Sequence, residues 1–351
     1  MAIRSNRFIR YLSLFTIISF ALIDATQQQW ICDDAYLSLR YAENLVQGEG
    51  LTYNPGEYVE GYSNFLWTLL LALCQFLGAQ PESMSMTVGI FCYAGTFLGL
   101  YRFGWVALAG GAFALHMRIY ASSGLETMMF LCLITWGAFA IKERRIALYS
   151  ILACASFLCR PEGGLLLLLG LIPFWQERGR YLRYILPVVG TYLLWKIWYF
   201  GDVLPNTYHA KGSGVRFNDG FRYLSLFFSM YWVALLGLLH SISSKRSFFV
   251  LSFIFCYALY LLKTGGGFMF GRLALPLYLM LLIAFEFWLE DYRKSRIYWS
   301  FFSIVAAGLL LTPYPKGLLE NPMGIDGIVE EKTWYPQSVI DKSRAQGKIL
   351  A

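Results

Sequence analysis

Asp33 and Asp34 stand side by side directly after a hydrophobic segment, at the head of WICDDAYLSLRYAENLVQGEGLTYNPGEYVEGYS, residues 30–63. Mutual repulsion and partial desolvation at a membrane surface both favour proton uptake by such a pair, which suits a general base. Adjacent helical side chains diverge by about 100°, so one acid could face substrate while the other holds a structural partner. The competing reading is an acidic helix start with no chemistry attached.

Further chemistry-bearing residues follow. Arg40, Tyr41, Glu43 and Asn44 lie on an expected helix that stops at Gly48, and Asn54-Pro55-Gly56 marks a turn. Glu57 and Glu60 add acidity to the loop, and Tyr58 and Tyr62 could stack on a sugar ring. As a structural alternative, the same stretch reads as an interfacial amphipathic helix with aromatic anchors. Glu126, in SSGLE, precedes an apolar run, where a helix dipole would favour it. Arg160, in RPEGG, sits between two apolar runs and could either bind phosphate or pair with Glu162. Asn206, Tyr208, His209 and Lys211 cluster in LPNTYHAK. Lys263 and Arg272 flank Gly265-Gly266-Gly267, whose amides could form an anion nest. Arg160, Lys211, Lys263 and Arg272 thus form a cationic set for an anionic headgroup; snorkelling to the interface is the alternative for each alone.

The elements that must position these residues are apolar. Of 351 residues, 57% are hydrophobic, 18% aromatic and 15% charged, against about 25% charged in a soluble globule. The expected class is all-α: a polytopic membrane protein of about eleven transmembrane helices, counted from apolar runs approaching the ~20 residues of a span. The net charge of +7 comes with no nucleic-acid motif and reads as loop Lys and Arg. Seven scattered cysteines contain no CxxC, and His116, His209 and His240 have no zinc spacing. Arg4, Arg7 and Arg10 precede an apolar run without a convincing cleavage site, read as an uncleaved first helix.

Basic clusters at 142–145, 178–183, 245–246 and 293–296 are expected inside. That places Asp33-Asp34, SSGLE, RPEGG, LPNTYHAK and TGGGFMFGR together on the outside. Parity fails unless one run in 63–119 is re-entrant or two form a broken crossing; LAGGAFAL, 108–115, is the suspect. The expected organisation is a transmembrane domain over 1–312, with its first external loop at 26–62, and a short external tail over 313–351.

With these motifs in order, the chain resembles the GT-C superfamily of integral-membrane glycosyltransferases, in the branch of terminal arabinofuranosyltransferases and related proteins of lipopolysaccharide or surface-glycan assembly. The resemblance covers about residues 8–312. It implies a polyprenyl-phosphate sugar donor, a glycan or lipid acceptor and membrane lipids as partners, with the active site facing the periplasm or exterior. It also implies a catalytic acid in the first loop, Asp33 or Asp34, with Arg160, Lys211 and Arg272 near the donor phosphate and inversion at the anomeric carbon. Two departures stand out: Gly267 replaces the acid of a GGD-type motif, and the polar tail is shorter than the extension of many members. No cofactor is certain; Asp33, Asp34 and Glu60 could supply oxygen ligands to a divalent metal. The rival readings are a transporter or flippase of a lipid-linked sugar, which repeats and mid-membrane polar sites would favour, and an inactive relative serving as an assembly partner.

Overall fold

The computed structural model describes residues 2–206, 214–240, 245–320 and 324–334. These residues are overwhelmingly helical, with β structure limited to two isolated bridges among them. In chain order the helices are α1 (Ala2–Gln27), α2 (Asp33–Val46), α3 (Phe65–Phe76), α4 (Pro81–Tyr101), α5 (Trp105–Phe113), α6 (Leu115–Ile119), α7 (Thr127–Lys142) and α8 (Ile146–Cys159). There follow α9 (Gly164–Leu169), α10 (Arg178–Phe200), α11 (Phe217–Met230), α12 (Lys245–Thr264), α13 (Leu275–Trp288), α14 (Arg296–Leu311), α15 (Gly317–Glu320) and α16 (Glu331–Trp334).

Local chemistry accounts for the ends that matter here. α2 carries Asp33 and Asp34 in its first turn, where the exposed amides favour negative charge. It stops at Gly48, whose φ of 85° is the left-handed conformation of a glycine terminator. α4 opens on Pro81, which needs no amide partner there.

α13 is the axis of the core. Every residue from Leu275 to Phe287 is buried, with α5, α12 and the 3-10 segment Trp232–Leu239 packed around it. Gly110 of α5 lets the two helices close, since a Cβ there would come within 2.7 Å of Leu282.

The expectation of about eleven transmembrane helices is overturned. Among the described residues two helices, α4 and α12, are long and apolar enough to cross a membrane, or three spans if α11 and Trp232–Leu239, bent by 97°, count as one. Apolar runs read as spans are shorter helices: α3 has 12 residues, α8 has 14 and α13 has 14. At about 1.5 Å per residue, 14 residues reach roughly 21 Å, short of a ~30 Å hydrocarbon layer. A helix buried on all sides is as apolar as a spanning one, so hydropathy alone counts core helices as crossings. The 104–119 run is itself divided: α5 ends at Ala114, in extended conformation, before the five-residue α6.

Part of the segment expected as an external tail folds back on the bundle. The Val329 amide donates to Phe268 O at 2.8 Å, and the Phe270 amide to Val329 O at 2.9 Å. That small parallel bridge carries Glu330 and Glu331 into the protein, where both are buried.

Candidate active site

The segments carrying Asp34, Glu126, Arg160 and Arg272 meet at one end of the bundle. α7 begins there, α8 and α12 end there, and the turn after Gly265-Gly266-Gly267 closes over them. Gly266 has a φ of +65° and lies so close to Tyr223 that a Cβ would approach its ring to 2.4 Å. The turn therefore depends on glycine at this position.

Glu126 is the hub. Its Oε1 accepts from Arg160 Nη1 at 2.7 Å and from Arg272 Nη2 at 3.1 Å, and its Oε2 from Asn64 Nδ2 at 2.9 Å. Arg160 also donates to Glu162, Nη2 to Oε1 at 3.0 Å, and the Tyr260 hydroxyl donates to the same oxygen at 2.6 Å. Arg272 Nη1 reaches Asp34 Oδ2 at 3.5 Å. A continuous chain thus links Asp34, Arg272, Glu126, Arg160 and Glu162. Ser38 and Thr68 hold Asn64 in register through its Oδ1, each at 3.1 Å.

Burial sets the electrostatics. It pushes the Glu126 carboxyl up, but Arg272 and Arg160 outweigh it and hold the group below the ordinary carboxylate range. For Glu162 burial is again opposed, chiefly by Arg160, and the carboxyl falls to about 2. Glu331 has no such compensation: burial dominates, the Cys32 thiol and Arg272 offset it in part, and the carboxyl rises to about 7.

Of the predicted residues, Asp34, Glu126, Arg160 and Arg272 lie in this chain, with Asp33 at its edge. Asp33 and Asp34 are exposed at the protein surface. Glu126 stands at the N-cap position of α7, but its side chain caps nothing there and turns to the arginines. Arg160 is paired with Glu162, one of the two expected alternatives, and with Glu126 as well. Lys263 is exposed on the last turn of α12.

Other predicted residues are employed elsewhere. Arg40 forms a surface pair with Glu43 at 2.9 Å. Tyr41 is buried, donating to Val59 O at 2.7 Å and accepting from the Gly61 amide at 2.8 Å, which ties α2 to its loop. Glu60 is buried against Lys196 Nζ at 2.7 Å. Tyr62 is buried edge-on to Tyr41, its ring centroid 4.7 Å away. The Asn206 amide donates to Glu60 O at 2.9 Å. Tyr208, His209 and Lys211 lie outside the described residues.

Several residues here escaped sequence reasoning. Cys32, buried, donates its thiol to Glu331 Oε1 at 2.9 Å. His116, also buried, meets Glu330 Oε2 through Nε2 at 2.8 Å and the Tyr231 hydroxyl through Nδ1 at 2.6 Å. Tyr314 also bonds Glu330. The overlooked signal was a charged or titratable residue inside an apolar run: His116 in FALHMRIY and Lys196 in LLWKIWYF each demand a buried partner.

The ligand atoms of Cys32, Asp33 and Glu331 lie within 4.8 Å of one another and could hold a metal ion. Glu331 Oε2, buried, has no hydrogen-bond partner among the described residues, so an oxygen lone pair is left over for a metal ion. Among the described residues five carboxylates, Asp33, Asp34, Glu126, Glu162 and Glu331, stand with two guanidiniums, Arg160 and Arg272, in this cluster. Excess negative charge favours a divalent cation; the thiol suits zinc, and the two carboxylates suit manganese as well. Burial and Glu331 hold the Cys32 thiol far above its ordinary range, so ligation there would release a proton. Of the expected oxygen ligands, Asp33 belongs to this set, Asp34 faces Arg272 and Glu60 faces Lys196.

No family model matches the chain, and no solved structure gives a significant match. Two curated relatives do match. The terminal β-(1→2)-arabinofuranosyltransferase of Mycobacterium tuberculosis is 27% identical over 397 aligned positions, covering 89% of this chain and 63% of the relative. The protein of the same name from Corynebacterium glutamicum is 27% identical over 345 positions, covering 78% of this chain and 50% of the relative. The chain therefore spans between half and two thirds of the length of these relatives. The likeness is one of distant homology to a glycosyltransferase family.

Proposed function

We propose that the protein is a membrane glycosyltransferase of the GT-C type. It would move a sugar from a polyprenyl-phosphate donor to a glycan or lipid acceptor on the non-cytoplasmic side. The observation that carries this reading is the ion-pair chain from Asp34 through Arg272 and Glu126 to Arg160, built from four distant segments beside an exposed acidic pair. Distant homology to two arabinofuranosyltransferases supports it, and their names make an arabinofuranosyl donor the first to test. α4 and α12 would embed the enzyme beside its lipid substrate.

Asp33 is exposed at the first turn of α2, where an acceptor can reach it. In this mechanism its carboxylate takes the proton of the acceptor hydroxyl as that oxygen attacks the anomeric carbon. The bond from that carbon to the phosphate oxygen breaks, and polyprenyl phosphate leaves with the electron pair. Arg272, one of whose Nη atoms is only 3.5 Å from exposed Asp34, can turn toward the developing phosphate charge. Arg160 acts at one remove, holding Glu126 and through it Arg272. If a divalent cation is bound, Cys32, Asp33 and Glu331 would each hold it by one atom and it would supply Lewis-acid stabilisation of phosphate charge, leaving the second carboxylate oxygen of Asp33 for the acceptor proton.

Transfer from synthetic polyprenyl-phosphoryl arabinofuranose by purified Asp33→Asn tests the assignment, with loss of turnover expected and wild-type turnover removing Asp33 from the role. Direct displacement inverts the anomeric centre. A retained configuration in the product, read by NMR, would replace the base mechanism with a covalent one.

A further inference from the structure

The same helices that end at the candidate site begin or end at a second polar feature. α7 runs from Glu126 at the site to Lys142, α8 from Arg145 to Arg160, and α12 from Lys245 to the Tyr260 turn. The 16 residues of α7 separate its ends by about 24 Å. At the far end lies a cavity of about 260 Å³.

Lys142, Arg144, Lys245 and Arg246 line this cavity, brought from two connections distant in sequence. Glu177 is the one carboxylate in the lining, and it lies 3.5 Å from Arg180. Arg246 has Glu290 at 3.0 Å. Among the described residues Lys142, Arg144 and Lys245 have no carboxylate at ion-pair distance. Lys142 instead donates to the Arg102 carbonyl at 3.0 Å and feels the repulsion of Arg293 and Arg246. Like charges gathered in a concavity repel one another unless an anion sits between them. The wall beside them is apolar, formed by buried Ile141 and Phe174.

We propose that this cavity binds a phosphate-bearing anion, and that an anionic glycerophospholipid headgroup is its source. Phosphate matches the cations, and the apolar wall matches the glycerol and first methylenes of a lipid. Position favours the lipid as well: α12, one of the two helices able to cross a membrane, has the cavity at its first turn and the candidate site at its last. If it crosses, the cavity lies at the opposite interface from the chemistry, where basic pockets meet acidic headgroups.

Native mass spectrometry of the purified protein tests this by comparing retained phosphatidylglycerol with phosphatidylcholine, alongside calorimetry with inorganic phosphate. The variant combines Arg144→Gln and Lys245→Gln, both at exposed positions. We expect wild-type protein to retain phosphatidylglycerol selectively and the variant to bind it roughly thirtyfold more weakly, the worth of two such charges at an anionic surface. Lys294→Gln, exposed and outside the cavity lining, should bind as wild type. Equal retention of both lipids, or equal binding by wild type and variant, overturns the proposal. Inorganic phosphate that binds wild type but not the variant, with no lipid selectivity, overturns the lipid source and assigns the cavity to a soluble phosphate compound. These readouts are independent of sugar transfer.

Discussion

Replacing Glu126 with glutamine changes few atoms but removes the charge shared by two guanidiniums. The Glu126 side chain is 4% exposed, and those of Arg160 and Arg272 are 12% and 14% exposed. Removing one partner of a buried ion pair costs about 3–5 kcal/mol, because the remaining charge stays buried without compensation. Here Arg160 keeps Glu162 at 3.0 Å and Arg272 keeps Asp34 at 3.5 Å, which points to the lower end, about 3 kcal/mol. Hydrogen bonding adds to the loss. Asn64 donates to Glu126 Oε2 while its own Oδ1 is held by Ser38 and Thr68. A glutamine amide turned toward Asn64 sets donor against donor, and turned the other way it sets its NH2 against the arginines. Asp34→Asn is the contrast: its partner lies at 3.5 Å and its side chain is 54% exposed, so it should cost no more than about 1 kcal/mol. The assay is thermal unfolding of the detergent-solubilised protein. Glu126→Gln should lower the midpoint by several degrees and Asp34→Asn hardly at all. A double-mutant cycle with Arg272→Met should show coupling above about 0.5 kcal/mol. If Glu126→Gln melts with wild type, the buried hub is not the strut inferred here.

Other expectations follow from the same geometry. Glu331→Gln should weaken Mn²⁺ binding, read by electron paramagnetic resonance, by about tenfold or more, whereas equal affinity would exclude Glu331 as a ligand. The Glu162 carboxyl sits at about 2 instead of 4.5, so it stabilises the fold fully above the upper value and loses that contribution, about 3 kcal/mol, as pH falls toward the lower. Glu162→Gln should flatten the midpoint's dependence on pH in that window; an unchanged acid limb would refute the assignment. Lys196→Met leaves Glu60 buried without its cation and should destabilise by about 3 kcal/mol or more, with Glu60→Gln in the same chain recovering part of the loss; additive losses would argue against the pair.

The helical class, the acidic opening of α2 and its glycine stop at Gly48 were legible in sequence, as was the backbone freedom of Gly265-Gly266-Gly267. Each follows from local rules: apolar runs, charge at a helix start and backbone freedom at glycine. The separate motifs carrying Asp34, Glu126, Arg160 and Arg272 were also recognisable, because charge between apolar runs needs a reason. Helix lengths were not legible. Leu275 to Phe287 is apolar because it lies inside the bundle, and hydropathy cannot distinguish protein from lipid as the surroundings.

Partner choice belonged to the tertiary structure alone. Cys32 and Glu331 are 299 positions apart, and no periodicity relates them. The bridge between Met269 and Val329, with the His116–Glu330 contact beside it, brings Glu331 to the site. Likewise Arg160 bonds Glu126 as well as its neighbour Glu162 because α7 starts where α8 ends. Sequence sets residue chemistry and local backbone preference, but the energy of a buried charge depends on which opposite charge the folded chain places beside it.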